Sequence, residues 1–208
     1  MSTLVESRPG THNGHMSSQV YEAPRQGLNA RQLGTVDKLL RAGLEELRAV
    51  GHEDLTIRTV AHRAGVAPAT AYTYLASKNH LFAELFWRHM TQLPPIDDGG
   101  GSPTERVQKV AHALVTWMDE EPALTAAVTP ALLSSDPDVA RLRLRIGTDL
   151  LERFEKGLGE ASADPAVLEA IVLAYSGAVL QAGMGLIGYQ EMATRLDPVI
   201  AVIMRGNS

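Results

Sequence analysis

The side chains best suited to meet a phosphate or a base edge are concentrated between Thr56 and Lys78, in TIRTVAHRAGVAPATAYTYLASK. Arg58 and Lys78 bring cationic donors, Thr56, Thr70 and Thr73 bring hydroxyls, and Tyr72 and Tyr74 bring phenols. On a helical wheel Ala71 and Leu75 share one side, while Ala69, Thr70, Tyr72 and Thr73 spread over the other. Tyr72 and Tyr74 lie about 200° apart, so at least one faces outward. An open side built from small residues and hydroxyls lets a helix lie close in a groove. Arg58 and Lys78 are each expected in the first turn of a helix, where the macrodipole disfavours a cation. A phosphate at that end reconciles the placement, because backbone N–H groups and the cation converge on one anion. Double-stranded DNA is therefore the expected partner. Arg58, Thr70, Tyr72 and Thr73 are the candidates for base edges, Ala69 for close approach, and Thr56, Tyr74 and Lys78 for phosphates.

Other chemistry lacks its residues. Cysteine is absent, which removes thiolate nucleophiles, thiolate metal sites and disulfides. The seven histidines show no H-x-x-x-H or H-E-x-x-H spacing, and none has a glutamate three residues before it. There is no G-x-S-x-G, and Gly99 to Gly101 follow no strand pattern that would make a phosphate-cradling loop. The expectation is a protein that is not an enzyme, with no cofactor and no metal.

The elements that position the Thr56 to Lys78 residues are helices. Ile57, Val60, Ala61 and Ala64 fall on one face of a 3.6-residue period, with Thr56 as N-cap. Gly65 supplies a turn, Val66 points inward, and Pro68 suits a first helical position. Upstream, Leu33, Val36, Leu39, Leu40, Gly43, Leu44 and Leu47 predict a helix from about Asn29 to Val50, with Gly51 at its end. Three helices over residues 29–78 make a small helix-turn-helix unit with a shared core. Residues 1–28 have the composition of a disordered arm, in which Met16 is an alternative start and Arg25, with Arg31 beyond it, is a candidate for a minor groove.

The run LTIRTVAHRAGVAPATAYTYLASK resembles the helix-turn-helix signature of the TetR family of one-component transcriptional regulators, over roughly residues 33–86. The Gly-Val turn, the Tyr-x-Tyr pair and the Ser-Lys step carry the likeness. Departures are Ala67 where Ser or Thr is usual, Ala71 where a larger aliphatic is usual, Leu75 where Phe is usual, and Thr73 where Arg is frequent. Without a guanidinium at Thr73 the helix lacks a bidentate guanine reader there. The resemblance implies repression of a palindromic operator by a homodimer, paired through the last two long helices and released by a small effector.

Residues 79–208 read as helical throughout. A helix capped by Ser77 runs through Leu81, Phe82, Leu85, Phe86, His89 and Met90 toward Pro94 and Pro95, and IDDGGGS follows as a loop. Ser102-Pro-Thr-Glu105 is a capping box. Ala123 to Leu133 contains Pro130 and predicts a kinked or broken helix; Asp136-Pro137 opens a helix with Val139, Leu142, Ile146, Leu150 and Phe154 inward. The next helix, about Ala166 to Leu186, is apolar on most sides, which predicts enclosure by a core or by a second copy. A last helix, Glu191 to Met204, is expected to be interrupted at Asp197-Pro198. Phe86, Trp87, Met90, Trp117, Met118, Tyr175 and Met184 are candidates to line an apolar effector pocket, with His89 and His112 as polar handles.

The formal charge of −5 is unevenly spread. Residues 29–80 hold seven Lys/Arg against five Asp/Glu, and residues 81–208 hold ten against seventeen. A weakly basic head on an acidic body suits contact with DNA through the head alone. No run of about 18 uninterrupted apolar residues indicates a membrane span, and a cytoplasmic protein is expected. The reading is therefore all-α, with a three-helix DNA-binding unit (29–78) and a helical ligand-binding and dimerisation unit (79–208). The alternative is an all-helical small-molecule-binding or protein-interaction module that does not touch DNA.

Overall fold

In the computed structural model, residues 28–95, 100–159 and 164–205 are described. Met16, Arg25 and the rest of the proposed arm, and residues 96–99 of the IDDGGGS segment, lie outside them. Every regular element among the described residues is an α-helix: α1 (Ala30–Asp54), α2 (Ile57–Arg63), α3 (Pro68–Tyr74), α4 (Lys78–Met90), α5 (Pro103–Glu120), α6 (Pro122–Leu133), α7 (Pro137–Leu158), α8 (Pro165–Gly183) and α9 (Tyr189–Arg205).

The helix starts follow the local chemistry. Asn29, Thr56, Ser77, Ser102, Asp136 and Asp164 each cap a helix with a side-chain oxygen, and Pro68, Pro103, Pro122, Pro137 and Pro165 sit at first positions where no N–H is missed. Gly51, at φ 76° and ψ 174°, breaks α1 internally, so the assigned helix reaches Asp54 across a kink instead of stopping at Gly51. Gly65, at φ 64°, makes the turn between α2 and α3.

Several helix ends are closed by cations from other helices. The Lys78 ammonium donates to the carbonyls of His52 and Glu53 at 3.2 and 3.3 Å. Arg153 reaches the Met90 carbonyl at the end of α4, Arg143 those of Leu132 and Ser134 at the end of α6, and Arg106 those of Gly157 and Leu158 at the end of α7. Orphan carbonyls at a helix C-terminus are where a cation is favoured.

One continuous apolar cluster joins α1–α4 to the body. α4 is buried along most of its surface and packs on α1, α6 and α7, so it belongs to both parts. Leu81 of α4 sits against Gly43, where an added Cβ would lie 2.9 Å from a Leu81 methyl. Ser77 and Asp136, the caps of α4 and α7, share a 2.5 Å hydrogen bond. Arg48 of α1 pairs with Glu121 at the start of α6.

Three expectations are corrected. α6 runs through Pro130 without a break, which removes the broken alternative of the kinked or broken helix expected there, and α9 runs through Pro198 without the expected interruption. Each proline is exposed, and so are Ala126 and Thr194, whose carbonyls lose the i+4 donor; water is available to those carbonyls. α8 ends at Gly183, short of Leu186. Of the two enclosures expected for α8, a core of this chain or a second copy, the described residues do not supply the first: Leu173 is 65% exposed and Leu180 40%, with Leu186 just beyond the helix at 68%. α8 is also long and apolar enough to cross a membrane, although Glu169, Ser176 and Gln181 interrupt it.

Candidate nucleic-acid interface and ligand cavity

At α2, Thr56 Oγ1 accepts from the Thr59 N–H at 3.1 Å, and Thr59 Oγ1 accepts from the Thr56 N–H at 3.2 Å. A hydroxyl replaces the glutamate of an ordinary capping box, so the start of α2 is closed without a negative charge. The first turns of α2, α3 and α4 contain no acidic residue. Arg58 is exposed in the first turn of α2, and among the described residues no hydrogen bond or ion pair engages its guanidinium. Arg63, at the far end of α2, is held by the buried Glu46 of α1 at 2.6 Å. The hydrogen bond from Arg63 holds the Glu46 carboxyl below its ordinary value, against the opposing effect of burial.

α3 is anchored by Ala71 and Leu75, both essentially inaccessible. This burial turns Ala69, Thr70, Tyr72 and Thr73 outward, with Tyr72 at 55% exposure. Tyr74 is half-buried against the core, and Tyr72 is the tyrosine that faces outward. Thr73 Oγ1 donates to the Ala69 carbonyl at 3.1 Å, which leaves its oxygen free only to accept. Thr56 and Lys78 are exposed beside this face, but Lys78 is placed by its bonds to the end of α1, so its position has an explanation within the chain. Arg31 is exposed in the first turn of α1.

In the body a cavity of about 390 Å³ lies between α4, α5, α6, α7 and α8. Five of the seven expected residues line it: Phe86, Met90, Trp117, Met118 and Tyr175. Trp87 and Met184 do not. Trp87 is one residue from Phe86 and points about 100° away, into the core; Met184 follows the last turn of α8 and is 57% exposed. His112 pairs with Asp197 of α9 at 2.8 Å near the surface, away from the lining, and His89 stacks on Trp117 without lining the cavity itself. The sequence reading missed Thr129, Leu132 and Arg143, which lie on α6 and α7; of the α7 stripe that it read as inward, Ile146 and Leu150 line the cavity. Arg143 is the charged residue of the lining, and its guanidinium is tied to the end of α6 at 2.6 Å.

Comparison with known proteins agrees with this geometry. Residues 39–85 match the pattern of the bacterial regulatory proteins of the tetR family. The chain is 42% identical over 180 residues to an uncharacterized HTH-type transcriptional regulator of Mycobacterium tuberculosis, covering 86% of this chain and 84% of that one. It is 33% identical over 109 residues to the HTH-type transcriptional repressor KstR of Rhodococcus jostii, half of each chain. In fold it is similar to a TetR transcriptional regulator from Rhodococcus sp. RHA1, with a TM-score of 0.65 at 21% identity over 83% of this chain and 99% of that one. Both of these sequence relatives are described as transcriptional regulators. With its helix-turn-helix head on an all-helical body, the chain belongs to the TetR family of bacterial transcriptional regulators.

Proposed function

We propose that this regulator binds a palindromic DNA operator as a homodimer, represses by occupying it, and leaves it when a small apolar effector fills the cavity. The observation that carries the reading is α3, a seven-residue helix whose Ala71 and Leu75 are buried while Ala69, Thr70, Tyr72 and Thr73 stand open beside the unengaged Arg58. Arg58, Thr70, Tyr72 and Thr73 read base edges, with Ala69 permitting close approach, and Thr56, Tyr74 and Lys78 meet phosphates. One head reads few base pairs, so two heads on a dyad are needed for a specific site. The repressor assignment leans on the KstR relatives, which are described as repressors. An operator-binding protein works where the DNA is, in the cytoplasm.

The division into a head (29–78) and a body (79–208) belongs to this reading, with α4 as the shared helix. Pairing through α8 and α9 is supported by Leu173, Leu180, Leu186, Val199 and Val202, apolar side chains exposed on or beside those helices. The cavity shares α4 with the head through Phe86 and Met90, and α7 with it through the Asp136–Ser77 bond. An effector that favours the other spacing of the heads by roughly 1–3 kcal/mol suffices for release. A gel shift on DNA flanking the gene tests the reading: salt-sensitive binding at a symmetric site is expected, and its absence would return the chain to the small-molecule or protein-binding alternative.

A further inference from the structure

The cavity wall is unbalanced in its hydrogen-bonding groups. Trp117 lines it, is 6% exposed, and among the described residues its indole N–H has no hydrogen-bond partner. His89 does not relieve this donor: its ring is stacked on Trp117 at 5.2 Å with 27° between planes, and an in-plane N–H cannot reach a ring lying over its own face. Tyr175 also lines the cavity, is 5% exposed, and among the described residues its hydroxyl donates only to the Met118 sulfur at 3.5 Å. A thioether is a weak acceptor, so this second buried donor is barely satisfied. Burial pushes the Tyr175 phenol well above its ordinary range, so it remains a donor at any working pH. Against these two donors the described lining residues offer no carboxylate, carboxamide or imidazole; the other side-chain oxygens present are the hydroxyls of Thr129, which donates to the Thr125 carbonyl, and of Ser176 on the exposed side of α8.

Buried donors without acceptors are costly, and a ligand that supplies the acceptor recovers that cost on binding. Resting on the reading of the cavity as the effector site, we propose that its ligands are apolar compounds bearing a carbonyl-type acceptor, held by Trp117 Nε1–H and Tyr175 O–H. A ketone, ester or lactone oxygen accepts from both donors and asks for no acceptor in return. An amine or ammonium would bring donors to a wall that has enough of them, and the charged group of the lining, Arg143, would repel a cation.

The pair 2-acetylnaphthalene and 2-ethylnaphthalene tests this, because the two differ in little more than a carbonyl oxygen. Calorimetric titration of the full chain should give tighter binding of the ketone by roughly two- to twelvefold, the worth of a net hydrogen bond. The indole N–H proton resonance of Trp117, assigned with Trp117→Phe, should move downfield with the ketone and not with the hydrocarbon. In Trp117→Phe and Tyr175→Phe the ratio of ketone to hydrocarbon affinity should fall toward one. Equal affinities and an unmoved indole resonance in the unaltered protein would overturn the acceptor assignment and leave the cavity reading standing. Failure of both compounds to bind would overturn the cavity reading together with the assignment.

Discussion

The Lys78 ammonium has three donors, and two are committed to the carbonyls of His52 and Glu53. Its removal should therefore act twice. Lys78→Ala should lower the thermal midpoint by loosening the end of α1, and should flatten the salt dependence of DNA binding by about one unit with equal effect on all sequences. An unchanged salt slope, read from gel shifts at several salt concentrations, would confine Lys78 to a structural role. Arg58 has no such bond among the described residues, so Arg58→Ala should leave the midpoint unmoved, cost about 1–3 kcal/mol in operator affinity and relax one base position. Selection from randomised operators would show that relaxation. Glu46 belongs to the fold alone. The Arg63 hydrogen bond lowers its folded pKa, so its contribution to stability is complete above the ordinary carboxylate value of about 4 and is lost as pH falls through the lower folded value. Glu46→Gln should weaken the protein at neutral pH and shrink that acid loss, as followed by thermal melts between roughly pH 2 and 7.

Among the elements, helix starts were legible and interiors less so. Thr56, Ser77, Ser102, Asp136 and Asp164 signal their caps locally, and each accepts an N–H two or three residues on. Thr56→Ala should accordingly destabilise by about 1 kcal/mol, with the loss visible in urea melts and operator affinity at α2 falling with it. Pro130 and Pro198 carry the same local signal as a break, yet their exposure keeps both helices running; solvent access is a tertiary fact that a sequence window does not hold. The cations that close α1, α4 and α7 come from far along the chain, and the one that closes α6 from the following helix, so neither the closure nor the second use of Lys78 could be read from spacing. The outward face of α3 was readable because Ala71 and Leu75 fix one side of a short helix. The cavity was readable only by residue type, so Trp87 and Met184 were grouped with residues they do not join, and Arg143 escaped notice because it is polar.

Across the whole molecule the acidic body and weakly basic head are joined by α4, by Ser77–Asp136 and by Arg48–Glu121. The same body leaves an apolar stretch of α8 uncovered, and the proposed pairing puts a second copy there. Leu173→Glu, at a side chain 65% exposed, should leave helical content and thermal midpoint unchanged while shifting the protein from dimer to monomer in sedimentation and abolishing specific operator binding. A dimer that persists in this variant would move the interface elsewhere. The most direct measurement is protection mapping of the DNA flanking the gene by the purified protein. Two protected half-sites related by a dyad are predicted, their centres separated by about one 10-base-pair helical turn or a multiple of it. A single unsymmetrical footprint, or no protection sensitive to salt, would contradict a dimer reading DNA through α2 and α3.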